Sequence, residues 1–380
     1  MPTTDPATDG SRPDRRQSRA HRIAAALVSL ATFAGAYLLA LWGLGAYGST
    51  TAVAWHDFHA AERLDTLVVG SSFGQQGIDP VTLDARLGTR TVNLATPGQT
   101  PDDSLDAIKC GVGEKGVRHV ILAVGLDSLG TRLDTNSHVA FVLGRYEGDP
   151  LGAASSLASF ALRPDVVGTR DSVRALFPWT CLPTYSPRSV ALNLRGRILG
   201  GDVARATEGL VRGWHYVGGG YGNYDRTIAP GDGRTSLQVF GSPHVDRRVW
   251  DEYAAICDWC REHDVSLTVV ATPHPAYDIA AFGDDYPRIM GDFQRMVQAR
   301  GATYLDLNLA HRDCYDPPLS DFDDFEHLNA TGAERLTNVL ARLIGPGGAG
   351  ERDVVLGSYD DWDGWRREHL PQAGDDGRQS

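Results

Sequence analysis

The chain has 380 residues, 42% of them hydrophobic, and a formal net charge of −12. Length and apolar content allow one large domain or two ordinary ones, and the acidic balance argues against a nucleic-acid partner, because phosphate binding needs a basic face. Five cysteines are too few for a disulfide scaffold, and an odd number leaves at least one thiol unpaired outside the cytoplasm.

Residues 1–22 form a polar segment that carries Arg12, Arg15, Arg16, Arg19 and Arg22. From Ile23 to Tyr47 there is no charged residue. At about 1.5 Å per residue that run crosses a ~30 Å hydrocarbon core. Trp42 and Tyr47 suit the far interface, and the next twenty residues hold one basic side chain, Arg63. The expected topology is a transmembrane helix at 23–48, with the N-terminus cytoplasmic and the rest outside. A buried core helix and a cleaved signal peptide are the alternatives. Ala52-Val53-Ala54 resembles a small-residue cleavage site, but the apolar run exceeds the usual ~7–15 residues.

Residues 49–63 read as a short linker. A buried strand at 66–70 follows and ends in Gly70-Ser71-Ser72. A serine on such a turn lies at the rim of a parallel sheet, where α/β folds place ligands. Asp79-Pro80 opens a helix as N-cap and N1, and Gly88 closes it. A second strand at 91–94 runs into the loop 95–100, and Pro101 starts another helix. A third strand at 119–124 ends in Gly125-Leu126-Asp127-Ser128. Strand–helix alternation of this kind predicts an α/β fold with a parallel sheet and helices on both faces.

The rhythm breaks at about 131–245, read as an insertion with some helices of its own that caps the rim. Its Gly-rich, aromatic stretch 213–221 reads as a loop. The rhythm resumes with a helix at 246–263. That helix carries Cys257 and Cys260, read as ordinary helix cysteines, with a disulfide or a metal or redox pair as alternatives. A strand at 266–271 leads to His274 between two prolines. A helix at 284–300, a last strand at 303–306 and a closing helix from 331 to about 344 complete the domain. The domain is placed at 60–345, and the polar tail 346–380 is expected to be a surface extension or partly disordered.

Asp324-Phe325-Glu326-His327 lies in the polar loop before the closing helix. An Asp and a His three residues apart can be carried to the serine's rim, giving a base for the hydroxyl and an orienting carboxylate for the base. Asp321 and Asp323 read as solvated neighbours.

Four blocks therefore stand in order: GSS (70–72), NLATPGQT (93–100), VGLDS (124–128) and DFEHLN (324–329). Together they resemble the SGNH/GDSL hydrolase superfamily over about 64–130 and 246–344. GSSFGQQGIDP, with an N-terminal anchor, looks closer to its envelope acyl-transfer members, which help to O-acylate teichoic acids or alginate. The resemblance implies a three-layer, flavodoxin-like sheet. It implies Ser72 as nucleophile, His327 as base and Asp324 as its orienter, with the backbone N–H groups of Ser72 and Gly98 as oxyanion hole. Ser71 fills the place of the family's usual Asp. The family's third oxyanion donor, an Asn side chain, has Asp127 in its place. An ionised carboxylate cannot donate, so Asp127 is held protonated, does another job, or leaves a two-donor hole. Gly98 could serve the turn alone, Asn93 reads as orienting its loop, and His274 reads as a substrate contact or as loop structure.

These readings give a membrane-anchored, extracytoplasmic serine esterase or O-acyltransferase working through an acyl-serine. The expected substrate is acylated envelope carbohydrate or a lipid-linked glycan, with a multi-pass membrane acyl-transfer partner as donor and no cofactor. The rivals are a plain esterase and a non-catalytic SGNH-fold assembly or binding protein with a spent site. Metal-dependent hydrolysis through 311–327 is weak, because that segment lacks ligand spacing.

Overall fold

Five apolar runs pair as one all-parallel sheet: β1 (Thr66–Gly70), β2 (Thr91–Asn93), β3 (His119–Val124), β6 (Ser266–Ala271) and β7 (Thr303–Asp306), in the order β2-β1-β3-β6-β7. Numbered within the sheet this is the 2-1-3-4-5 order of flavodoxin-like folds. The computed structural model describes residues 15–44, 48–130, 134–180, 187–229 and 231–370. Arg12, Tyr47, Cys181 and the tail beyond 370 lie outside the described residues.

Successive residues of a strand face opposite ways, and both faces of this sheet are buried. Leu67, Val69, Leu122 and Val124 meet Ile108 of α5 (Pro101–Cys110), Ile256 of α12 (Arg247–Glu262) and Phe293 of α14 (Asp285–Ala299). Val68, Ile121 and Ala123 meet Leu83 of α4 (Pro80–Leu87) and Leu336 and Leu340 of α15 (Ala330–Ile344). The caps read from sequence form: Asp79 accepts from Val81 N–H, Pro80 is N1, and Gly88 adopts the left-handed conformation.

α1 (Arg15–Leu44) is long and apolar enough to cross a membrane. Leu27, Leu30 and Phe33 are exposed, whereas Leu41 near its C-terminal end is buried.

Three segments differ from expectation. Residues 49–63 are no linker: they hold α2 (Thr50–Ala60), whose Trp55 and Phe58 are fully buried in the main core. One helical turn separates those two side chains, and that spacing puts them on one core-facing stripe. The Gly-rich stretch is a hairpin of β4 (Trp214–Gly218) and β5 (Tyr221–Tyr224); its tip accepts the Asn93 N–H at the Gly219 carbonyl (2.8 Å). The tail folds as α16 (Gly348–Val355) and α17 (Trp362–His369), with Trp362 and Trp365 stacked and buried. The folded unit thus reaches past both ends of the 60–345 domain.

The insertion contributes α6 (Thr135–Arg145), α7 (Pro150–Ala161), α8 (Arg170–Leu176), α9 (Pro187–Leu199), α10 (Val203–Leu210), the hairpin and α11 (Ser236–Phe240). It has helices of its own, as expected. α3 (Ser72–Gly77) lies on the first strand's exit, and α13 (Ala276–Ala281) follows the β6 exit.

Candidate active site

The rim site starts with the exit of β1. Gly70 has φ +124°, and a Cβ there would sit 2.2 Å from the Ala123 carbonyl oxygen. Only glycine permits both this conformation and this approach. Gly70 N–H donates to Gln99 Oε1 (2.8 Å), and Gln99 Nε2 donates to the Leu94 carbonyl, so one buried amide ties the first loop to the second. Asn93 does the same from beneath, donating to the carbonyls of Gly74 and Ile78 and accepting from Ala95 N–H. Gln99 lies inside the quoted NLATPGQT block, but only the fold reveals its partner.

The chain then turns into α3, whose first residue is Ser72. Ser72 Oγ lies 2.8 Å from His327 Nε2, across 255 residues of sequence. His327 Nδ1 lies 3.0 and 3.1 Å from the two carboxylate oxygens of Asp324. Asp324 Oδ1 also accepts the backbone N–H groups of Glu326 and His327, each at 2.9 Å. The bound Nδ1 leaves Nε2 as the acceptor for the serine proton, the arrangement that activates a hydroxyl. Ser71 Oγ is buried with no hydrogen-bond partner and does not join this chain of contacts.

Local charges set the protonation states. Burial alone would lower the His327 pKa, but the hydrogen bond and charge of Asp324, with Glu326 and Asp127 adding, raise it overall. For Asp324 burial works upward and is outweighed by His327 and the two N–H donors, so its pKa is lowered.

Glu326 is a functional neighbour that sequence reading missed. Its Oε1 is 3.8 Å from His327 Nδ1, and its Oε2 is buried without a partner. Burial pushes its pKa up to about 7; His327 opposes the rise and Asp127 adds to it. Since Glu326 helps to raise the His327 pKa, Glu326→Gln is expected to move the acid limb of the pH–rate profile to lower pH. Activity on that limb rises up to about tenfold per unit moved. A profile of kcat/KM against pH checks this, and an unmoved limb would exclude the coupling.

Gly98 has φ +65°, and it shares the wall of one cavity with Ser72 and His327. Asp127 follows β3 and remains open to solvent, but the cleft around it strips enough hydration to raise its pKa; His274 and His327 oppose the rise. Ser72 and Asp127 therefore flank the point where the strand order reverses, as ligand sites in such sheets do.

His274 does not line the cavity. Its side chain is 5% exposed, and its Nδ1 is 2.8 Å from Asp278 Oδ2. Asp278 is fully buried and accepts from Ser236 N–H and Oγ. His274 and Asp278 form a second buried histidine–carboxylate pair. The Phe73 ring lies between the two histidines, 5.2 Å from His274 and 5.5 Å from His327. Burial would lower the His274 pKa, but Asp278, Glu326 and Asp127 raise it overall. The spacing of His274 and Asp278, four residues across a helix start, was the available signal.

Asp321 and Asp323 are not solvated. Asp321 pairs with Arg335 (2.9 Å) and Asp323 with Arg226 (2.8 Å), both carboxylates almost wholly buried. Those pairs clamp the loop that carries Asp324 and His327. Cys257 and Cys260 are free, buried helix thiols whose pKa burial pushes up to about 12, which makes them poor nucleophiles.

No family of known proteins matches the chain by sequence, and no curated protein does. Among solved structures it is similar to a candidate acylhydrolase from Bacteroides fragilis, at 7% identity and TM-score 0.33, over 76% of this chain and 92% of that one. It is also similar to a candidate platelet activating factor from Streptococcus pneumoniae, at 10% identity and TM-score 0.32, over 83% and 97%. Likenesses at this level carry no information about activity.

Proposed function

We propose that the protein is an SGNH-type serine esterase or O-acyltransferase of the cell envelope, held by α1 as a single-pass anchor with its N-terminus cytoplasmic. The observation that carries this is the 2.8 Å contact of Ser72 Oγ with His327 Nε2, backed by Asp324 on Nδ1. Ser72 Oγ attacks the ester carbonyl carbon while His327 Nε2 takes its proton. The N–H groups of Ser72 and Gly98 receive the oxyanion. The ester C–O bond breaks, His327 returns the proton to the departing alcohol, and the acyl group stays on Ser72. Water or a carbohydrate hydroxyl then takes the acyl group by the same steps. Acylated glycan or a lipid-linked sugar is the proposed substrate, with a multi-pass membrane protein as acyl donor; this rests on resemblance. Fluorophosphonate labelling of the folded full-length protein tests the reading. Absence of label would overturn it.

Asp127 favours a second reading, a non-catalytic envelope assembly protein, because an ionised carboxylate in the place that the resemblance gives to an oxyanion donor would oppose the tetrahedral state. Its raised pKa points the other way, toward a carboxylic acid that can donate. If the protonated acid donates, activity falls as pH rises through the Asp127 pKa. Asp127→Asn then keeps or raises ester hydrolysis and extends it to higher pH. A loss of more than about 10²-fold, the scale of one oxyanion donor, would instead give Asp127 a role that only its carboxyl group can fill.

A further inference from the structure

α8 is inverted for a helix on a water-facing surface. Its inward side chains are small: Ser172 is buried, and Ala175 is fully buried in a cluster with Phe160, Ala161 and Val166. Its larger apolar side chains, Val173 and Leu176, are exposed, and so is Phe177 directly after it. Positions 173, 176 and 177 share one helical face. α9 repeats the inversion: Asn193 is buried, whereas Leu192, Ile198 and Leu199 are exposed. Scattered exposed apolar residues are ordinary, but an apolar stripe turned away from its own core calls for a second apolar medium.

The position of α1 identifies that medium. Phe177 packs edge-on against Trp179 (5.6 Å between ring centroids), and Trp179 packs on Tyr37 of α1 (5.9 Å). From α9, Leu194 packs on Gly43 of the same apolar helix, and Asn193 Oδ1 accepts the Gly48 N–H (3.3 Å). The apolar run of α1 begins at Ile23, directly after Arg22. With α1 as the span, about 20 residues cross the hydrocarbon. The outer boundary then falls near Trp42, with Tyr37 ~7 Å inside it. Sliding the helix outward would draw Arg19 and Arg22 into the hydrocarbon, and tilting it would only sink Tyr37 further. Trp179 and Phe177 thus stand at bilayer depth beside α1, within the ~5–10 Å that interfacial helices enter.

We propose that the outward face of α8 and α9 is seated in the outer leaflet, so that the insertion holds the domain against the bilayer beside α1. The partner is a lipid surface. This rests on α1 as a membrane span and is independent of the serine chemistry. Val173, Leu176 and Phe177 meet acyl chains, as do Leu192 and Leu199. Arg195, exposed between those two leucines, lays its stem along them and carries its guanidinium up to the phosphates. The domain therefore meets the membrane through a surface as well as a span, and the rim that carries Ser72 is held at a set height above the leaflet.

The test uses the full-length protein in lipid nanodiscs, with photoreactive p-benzoylphenylalanine in place of Val173, Leu199, Leu30 or Val354, one at a time. All four side chains are exposed, so replacing them leaves the core untouched. After irradiation, mass spectrometry reads whether each position has joined to lipid, to protein or to neither. Leu30, within α1, reports the span, and Val354 of α16 reports background. Lipid adducts at positions 173 and 199 at the level of position 30, with none at 354, are the expected result. Lipid at 30 but not at both 173 and 199, or equal labelling of 354, would overturn the seated face and leave the anchor standing. A protein adduct in place of lipid at 173 or 199 would give the face to a second copy of the chain instead. No lipid adduct at 30 would overturn the anchor and this inference with it.

Discussion

Ser72→Ala is expected to abolish fluorophosphonate labelling and to lower ester turnover by about 10³-fold or more, since what remains after loss of a nucleophile comes from binding and the oxyanion donors alone. Ser71→Ala is the matched control. Ser72 Oγ sits 2.8 Å from His327 Nε2, whereas Ser71 Oγ is buried and without a partner one residue away. Removing an unpartnered buried hydroxyl is nearly neutral or stabilising. The Ser71→Ala protein should therefore label at the wild-type rate and melt at the same temperature or higher. Labelling by mass spectrometry with tryptic mapping reads both. Label found on Ser71, or surviving in Ser72→Ala, would remove Ser72 from the nucleophile role. Residues 50–60 form a buried core helix, so a shortened chain used for this work has to keep them.

The second large effect belongs to Asp324. Asp324→Asn keeps the shape of the loop but offers Nδ1 a different partner, and with it the wrong tautomer; a loss of about 10³–10⁴ in kcat is expected, as when a triad carboxylate becomes an amide. The residual activity should extend to lower pH than in the wild type, because Asp324 is the largest charge that raises the His327 pKa. Catalysis needs neutral His327, so wild-type activity falls as pH drops through its raised pKa. Stability runs the other way. A raised histidine pKa contributes stability that is complete below the unfolded value, near 6.5, and is lost as pH rises through the folded one. The lowered Asp324 pKa contributes stability above the unfolded carboxylate value that is lost as pH falls through the folded one. The wild type should therefore exceed Asp324→Asn in stability most between these two limits. A kcat profile and urea melts across pH 4–9 would check both signs. An unchanged kcat in Asp324→Asn would eliminate the dyad.

Why some of this was legible in the sequence and some was not comes down to range. The five sheet strands are short unbroken apolar runs with capping residues on their flanks, and such signals are local. The Asp324–His327 spacing is local too, and the loop needs only to reach the rim. Helix α2 was missed because its polar residues obscured one apolar stripe, although Trp55 and Phe58 stand three apart. Trp362 and Trp365 repeat that spacing in the tail, where acidic neighbours suggested solvent. Trp365 Nε1 donates to the Asn308 carbonyl, and Asn308 Oδ1 accepts His274 N–H, so the tail supports the second histidine pair. The burial of Asp321, Asp323 and Glu326 depends on Arg335, Arg226 and the walls around them. No window of sequence contains those partners together.

The separation of 255 positions between Ser72 and His327 also sets an order of events during synthesis. A chain made from its N-terminus delivers the nucleophile strand early and the base almost last, after all five sheet strands have emerged. Until α15 docks and carries the preceding loop with it, Ser72 is an ordinary hydroxyl. If Ser72 is the nucleophile, its reactivity is switched off by incompleteness throughout translation. Serine labelling then becomes a clock for maturation: chains arrested before residue 327 stay silent, and the first label marks the moment the last layer closes.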